Sequence, residues 1–248
     1  MHEGRLVFAQ LMDFLPRREF NRCVRCYRGN YRVREFSCYD QFLAMAFAQL
    51  TYRESLRDIA ICLRTLQPKL YHVGFRGKVS KSTLADANRR RDWRIYADFT
   101  QVLIRRARKQ YARDGFGVVL ERTAYVLDSS IINLCMSLFP WAHFRSRKSG
   151  VKLHTLLDLR GNIPCFLRVT PAKTHDTAIL DDIMPEPGSF YIFDRGYNDY
   201  GRLYRFTQAS AFFVIRPKGN LNYTRRQSHS VDRSTGVCFD HTIILANP

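Results

Sequence analysis

No stretch of this 248-residue chain approaches the ~18 consecutive apolar residues that a membrane-spanning helix needs. No cationic, then apolar leader opens it either: Met1-His2-Glu3-Gly4 begins with an acid, so no secretion signal is read there. Low-complexity tracts and internal repeats are missing too. Aromatic residues are plentiful at 13%, which excludes a disordered polymer. The seven cysteines are an odd number, unsuited to a disulfide framework, and a reduced cytoplasmic setting is expected. A single Cys-x-x-Cys pair occurs, Cys23-Val24-Arg25-Cys26. No second pair and no histidine pair at finger spacing accompanies it. Two unpaired thiols on a helix are expected there in preference to zinc.

Acids are the scarce charge. The chain has 40 Lys+Arg against 22 Asp+Glu, a formal net of +18. Such an imbalance points to a polyanionic partner, and nucleic acid is the usual one. Residues 1–120 hold 24 basic and 11 acidic residues, a net of +13, while residues 121–248 hold 16 and 11, a net of +5. The N-terminal half is the better candidate for gripping phosphates. Hydrophobic content of 46% suits one or two globular domains with a real core.

Residues 1–115 read as a helical domain. In "EGRLVFAQLMDFLP" the apolar residues favour one face and Pro16 stops the helix. "FSCYDQFLAMAFAQLTY" opens with Ser37 three residues before Asp40, a capping box with Asp in the usual Glu place. Its apolar residues cover most of its circumference, so it is expected at the centre of the core. "RESLRDIAICLRTL" and "SKSTLADANRRRDW" are shorter; Ser80 and Ser82 are candidate caps of the second, which carries Lys81, Arg89 and Arg90. The pair looks like a helix-turn-helix with a long turn, or equally an ordinary bundle with a basic face. A helix from Trp93 follows and ends in a run of arginines.

The pattern changes after "ARDGFG". Residues 116–248 read as strand, strand, strand, helix, strand, helix, strand, an α/β mixed sheet. Arg160-Gly161-Asn162 joins the second and third strands as a hairpin. Asp128 and Asp194 occupy equivalent places, each behind an apolar run: Ala124–Leu127 and Phe190–Phe193. If those strands pair, two carboxylates meet at one point. A hard cation such as Mg²⁺ would relieve their repulsion and suits phosphodiester chemistry. Each Asp alone would more simply cap a turn.

These segments, taken together, resemble the DDE transposases of insertion-sequence family four. The resemblance runs through nearly the whole chain: "FSCYDQFLAMAFAQLTYRESLRDIAICL", "KLYHVGFRG" and "SKSTLADANRRRDWRIYADF", then "YVLDSSII", "VKLHTLLDLRGNIP", "AKTHD", "YIFDRGY" and "FFVIRPK". It implies a ribonuclease-H-like core over residues 116–248. It also implies strand cleavage and strand transfer at insertion-sequence ends with Mg²⁺, or Mn²⁺ as substitute, and double-stranded DNA, both element ends and target, as partner. Asp128 and Asp194 match the first and second catalytic aspartates and would hold the metal. The family completes its site with a glutamate in a Tyr-x-x-Arg-x-x-x-Glu-x-x-x-x-x-x-Lys signature. After Asp194 this chain has Asp199, Asp232 and Asp240 and no glutamate. The expectation is a core truncated before that helix and inactive alone. The other readings are a DNA-binding remnant that inhibits the intact enzyme, or a nuclease in which Asp176, Asp199 or Asp240 supplies the third acid. A bacterial, nucleoid-associated location is implied; a homo-oligomer is left open.

The resemblance also marks Arg195 and Tyr197 of "DRGY" as DNA contacts, with Gly196 a backbone device. Lys152 and His154 lie on a strand beside "RSRKSG", and Arg216 and Lys218 end the last core strand; phosphate contacts are expected from Lys152, Arg216 and Lys218. His175-Asp176 fits a helix N-cap. Ser129 and Ser130 are rejected as nucleophiles, because no base is placed beside them and water or a DNA 3′-hydroxyl attacks in this family.

Overall fold

The computed structural model describes residues 6–75, 77–111, 122–134, 143–145 and 148–245. They fall into two compact units, residues 1–106 and 107–248.

The first unit is helical. Helices α1 (Val7–Asp13) and α2 (Arg17–Cys26) flank Pro16, which ends one helix and, lacking an N–H, opens the next. Cys23 and Cys26 both lie on α2, the first buried and the second exposed. Helix α3 (Cys38–Leu50) begins with the expected box: Ser37 Oγ accepts from the Asp40 amide at 3.1 Å, and Asp40 Oδ2 accepts from the Ser37 amide at 2.7 Å. Leu43, Ala44 and Phe47 of α3 are buried, with Ile59 and Leu63 of α4 (Leu56–Thr65) and Leu84 of α6 (Lys81–Arg90) around them. A second cluster joins Phe20 and Val24 of α2 to Ile95 and Phe99 of α7 (Arg94–Tyr111). The Phe20 and Phe99 rings meet edge to face, 5.0 Å between centroids.

Ser80 caps α6, its side chain accepting from the Thr83 amide. Between α4 and α6 lie a 3₁₀ turn (Gln67–Lys69) and α5 (Leu70–Val73), which ends at Gly74 in the left-handed region. The helix-turn-helix expectation is therefore corrected. That motif joins its helices by three or four residues, whereas Leu70 and Val73 make this connection part of the core.

The second unit is built on a six-stranded sheet. Strand β1 (Ala124–Leu134) is central. On one side it pairs antiparallel with β3 (Lys148–Asp158), which in turn pairs with β2 (His143–Arg145) and β4 (Ile163–Pro171). On its other side β1 pairs parallel with β5 (Phe190–Phe193), and β5 with β6 (Phe212–Ile215). The β3–β4 turn carries two left-handed residues, Gly161 (φ +72°) and Asn162 (φ +53°), as its Arg-Gly-Asn sequence requires. Helix α8 (Tyr200–Gln208), capped by Asp199, and a 3₁₀ segment (Asp176–Asp182) cover one face. Tyr125, Leu127, Leu156, Tyr191 and Phe193 are buried against Leu180, Leu203 and Phe206 there. On the other face Phe212 and Val214 stay exposed. Strands β7 (Tyr223–His229) and β8 (Asp240–Leu245) make a separate exposed hairpin. A central antiparallel meander with two parallel strands added by helical crossovers is the ribonuclease-H-like α/β arrangement that the resemblance implied.

Candidate functional site

Strand register decides which residues meet. Leu127 on β1 lies opposite Phe193 on β5. Asp128 follows Leu127 within β1, and Asp194 follows Phe193 just past the end of β5, keeping an extended backbone (φ −74°, ψ 162°). Side chains alternate across a sheet. Leu127 and Phe193 face the buried core, so the two aspartates turn together to the opposite side, and both are exposed. Asp128 lies inside its strand; β1 runs on to Leu134 because β3 pairs with it throughout, from Tyr125–Asp158 to Leu134–Ser149. Asp128 marks the point where the parallel neighbour stops.

After Asp194 the chain makes a 3₁₀ turn, Arg195–Tyr197. Arg195 is exposed. Asn198 Nδ2 donates to the Arg195 carbonyl at 2.9 Å and the Arg216 carbonyl at 2.8 Å, tying this turn to the end of β6. Arg195, Arg216 and Lys218 thus stand exposed around the carboxyl ends of the parallel strands, where open α/β sheets take their ligands.

Lys152 and Tyr197, both expected to contact DNA, are buried. Lys152 Nζ donates to Asp176 Oδ1 at 2.9 Å and to the Thr174 carbonyl at 2.9 Å. Ser129 Oγ also donates to Asp176 Oδ1, at 3.0 Å. A β-carbon added to Gly196 would stand 3.8 Å from Asp176 Oδ2, ordinary contact. Burial is the main reason the Tyr197 hydroxyl holds its proton far above the ordinary range; the charges of Asp176, Asp128 and Asp194 push the same way. His154, fully buried, pairs through Nε2 with Thr170 Oγ1 at 2.9 Å, and burial pushes its pKa down. His175 does cap the 3₁₀ segment, through Nδ1 to the Thr177 amide.

Sequence reasoning missed the Lys152–Asp176–Ser129 group. Its only signal was the polar run "KTHD" directly behind an apolar strand. In the helical unit, Lys81 opens α6 and is exposed, while Arg89 and Arg90 both pair with Asp86 at 2.9 Å.

Asp128 and Asp194 offer hard oxygen donors, the chemistry a divalent cation of the Mg²⁺ type prefers. Among the described residues no group of three His, Cys, Asp or Glu side chains is close enough to hold a metal ion. The donor set fits as part of a coordination sphere, two ligands and not a closed cage. No helix among the described residues is long and apolar enough to cross a membrane.

Comparison with known proteins agrees with this architecture. Residues 3–76 match a domain of unknown function, DUF4372, and residues 120–247 match the transposase DDE domain. The chain is 35% identical over 168 residues to "Putative transposase y4zB" of Sinorhizobium fredii, covering 66% of this chain and 46% of that protein. It is 28% identical over 103 residues to "Probable transposase for insertion sequence element IS5377" of Geobacillus stearothermophilus, covering 42% and 27%. The matched region spans less than half the length of either relative. With its C-terminal half matched along its length and its sheet arranged as that match requires, the chain belongs to the transposase DDE domain family.

Proposed function

We propose that the chain performs DNA strand cleavage and strand transfer at the ends of an insertion element, with Asp128 and Asp194 holding Mg²⁺, or Mn²⁺ in its place. The observation that supports this reading is the parallel register, which ends at Leu127 opposite Phe193, directly before two exposed aspartates. A divalent cation at that point supplies an acidified attacking oxygen and charge for the leaving one. The chain's own residues do the rest. Arg195, Arg216 and Lys218 take the phosphates flanking the scissile bond and fix the strand's direction. The Asn198 bridge ties the turn that carries Arg195 to the end of β6, where Arg216 stands. The Lys152–Asp176–Ser129 group places Asp176 beside Gly196, two residues after Asp194.

A second reading is favoured by the lack of a three-acid group among the described residues: the chain binds element ends without cutting them and competes with a complete enzyme. An end-containing duplex incubated with Mg²⁺ or Mn²⁺ separates the two. Two carboxylates hold a hard cation weakly, so the 248-residue chain is expected to bind the duplex and cleave it poorly. Cleavage that is robust and vanishes in Asp128→Ala would establish the catalytic reading outright and remove the competitive one. Cleavage that survives Asp128→Ala would sink the assignment of the site.

A further inference from the structure

The positive charge of the helical unit is not spread evenly among free cations. Arg89 and Arg90 share Asp86, Arg94 pairs with Asp92 at 2.6 Å, and Arg22 pairs with Glu19 at 2.7 Å. Arg91 is spent on structure, donating to the Phe36 and Ser37 carbonyls and to Gln41. Residues 25–34 differ. Arg25, Arg28, Arg32 and Arg34 are all exposed, and among the described residues none pairs with an acid. Four unneutralised arginines within ten residues repel one another. A polyanion would relieve that repulsion.

The fold does impose it. Arg28 (φ 50°) and Arg32 (φ 56°) both sit in the left-handed region, which side chains of this size avoid. The segment is pinned around them. The Gly29 amide donates to the Val24 carbonyl at 2.9 Å, the Tyr31 amide to the Arg28 carbonyl at 2.8 Å, and the Cys38 amide to Asn30 Oδ1 at 2.8 Å. Gly29 leaves no room to shift, since a β-carbon there would stand 2.4 Å from Ile95 and 2.7 Å from Cys38. The result is a groove of about 780 Å³ with Arg28, Tyr31, Arg32 and Arg34 on one wall; on the other α6 presents Thr83 and the Asp86–Arg90 ion pair, and Glu35 and Asp92 also line it. Tyr31 stands 65% exposed on its rim, a planar surface for a sugar or a base edge.

We propose that residues 25–34, with the groove they form against α6, hold the phosphate backbone of duplex DNA, and that the Asp86-paired Arg89 of α6, outside that groove, does not. The site rests on the transposase reading, which supplies duplex DNA as partner. It moves the grip from Arg89, whose charge Asp86 already offsets, to arginines fixed in place with no counter-ion. Pre-set guanidinium groups lose little freedom on meeting phosphate and can engage it with two donors each.

Binding of the full chain to a fluorescent duplex, followed from 50 to 200 mM salt, tests this. Each phosphate neutralised contributes about 0.9 to the slope of log affinity against log salt. The Arg28→Gln/Arg32→Gln/Arg34→Gln variant is expected to reduce the slope by about 2.7, and each single variant by about 0.9, so the result does not hang on the triple variant folding. The matching Lys variants should keep the slope. Arg89→Gln, on α6 but outside the groove's lining, should leave it almost unchanged. A slope that falls with Arg89→Gln and not with the three arginines overturns the groove while leaving DNA binding intact. No duplex binding at 50 mM salt overturns the groove and the transposase reading together. Binding to phosphatidylserine vesicles in place of DNA would do the same.

Discussion

Lys152 Nζ lies 2.9 Å from Asp176 Oδ1, and both side chains are largely withdrawn from water. Removing one partner of such a pair strands the other's charge. Lys152→Met is expected to lower the unfolding free energy by about 3 kcal/mol, read by urea titration of the full chain. Lys152→Met/Asp176→Leu should recover much of that loss, because the stranded carboxylate is gone. A double variant no more stable than the single would show that the pair's value lies in its bonds to Ser129 and Thr174.

His154 makes the second unit's stability depend on pH. Its folded pKa lies below the ordinary value because it is buried. The unfolded chain takes up the proton near pH 6.5 and the folded chain only at lower pH. The contribution is therefore complete above about pH 6.5. It is lost progressively as the pH falls from there through the folded pKa. Melting temperatures at pH 7.5 and 5.5 should fall further for the wild type than for His154→Gln. Equal falls would exonerate His154.

Gly161 and Gly188 offer a matched comparison. Both have positive φ, +72° and +80°. A β-carbon at Gly161 would stand 2.5 Å from Tyr111 Cβ, whereas at Gly188 it meets nothing within 4 Å. Gly188→Ala should cost about 1 kcal/mol from backbone strain alone. Gly161→Ala should cost at least about 1 kcal/mol more, in the range of an overpacked core. Equal losses in denaturant titration would mean that Tyr111 moves aside.

The aspartate pair predicts a metal response. Mn²⁺ binding, followed by the loss of its free-ion spin resonance, should be weak in the wild type. Asp194→Asn should weaken it further by at least the roughly tenfold that losing even an outer-sphere partner brings. Unchanged binding would place the cation elsewhere.

Much of the framework was legible because its causes are local. Ser37 and Asp40 stand three apart and form both bonds of their box. Arg160-Gly161-Asn162 announced a hairpin through residues that tolerate left-handed backbone. The order of strands and helices followed from apolar runs. What escaped depends on contacts between distant segments. Lys152 and Asp176 are 24 residues apart on separate elements, and no periodicity links them. Tyr197 looked like a surface residue because it follows a strand end; the 3₁₀ turn carries its ring back to Phe193, 5.9 Å between centroids. Arg89 and Arg90 looked free because charge counts do not show that one Asp86 serves both.

The pairing of Ala124 with Phe190 has a consequence for how the protein is made. The two positions are 190 − 124 = 66 residues apart. At about 5–20 residues per second, a ribosome needs roughly 3 to 13 seconds to deliver the second after the first. The hairpin partners of β1 emerge within that interval, so one flank of the strand is satisfied early. Its other flank, Tyr125 to Leu127, must wait with its amides and carbonyls open. An unpaired strand edge is a template for other chains. The nascent chain thus passes through a stage, set by its own topology, in which one flank of its central strand lies open to other chains.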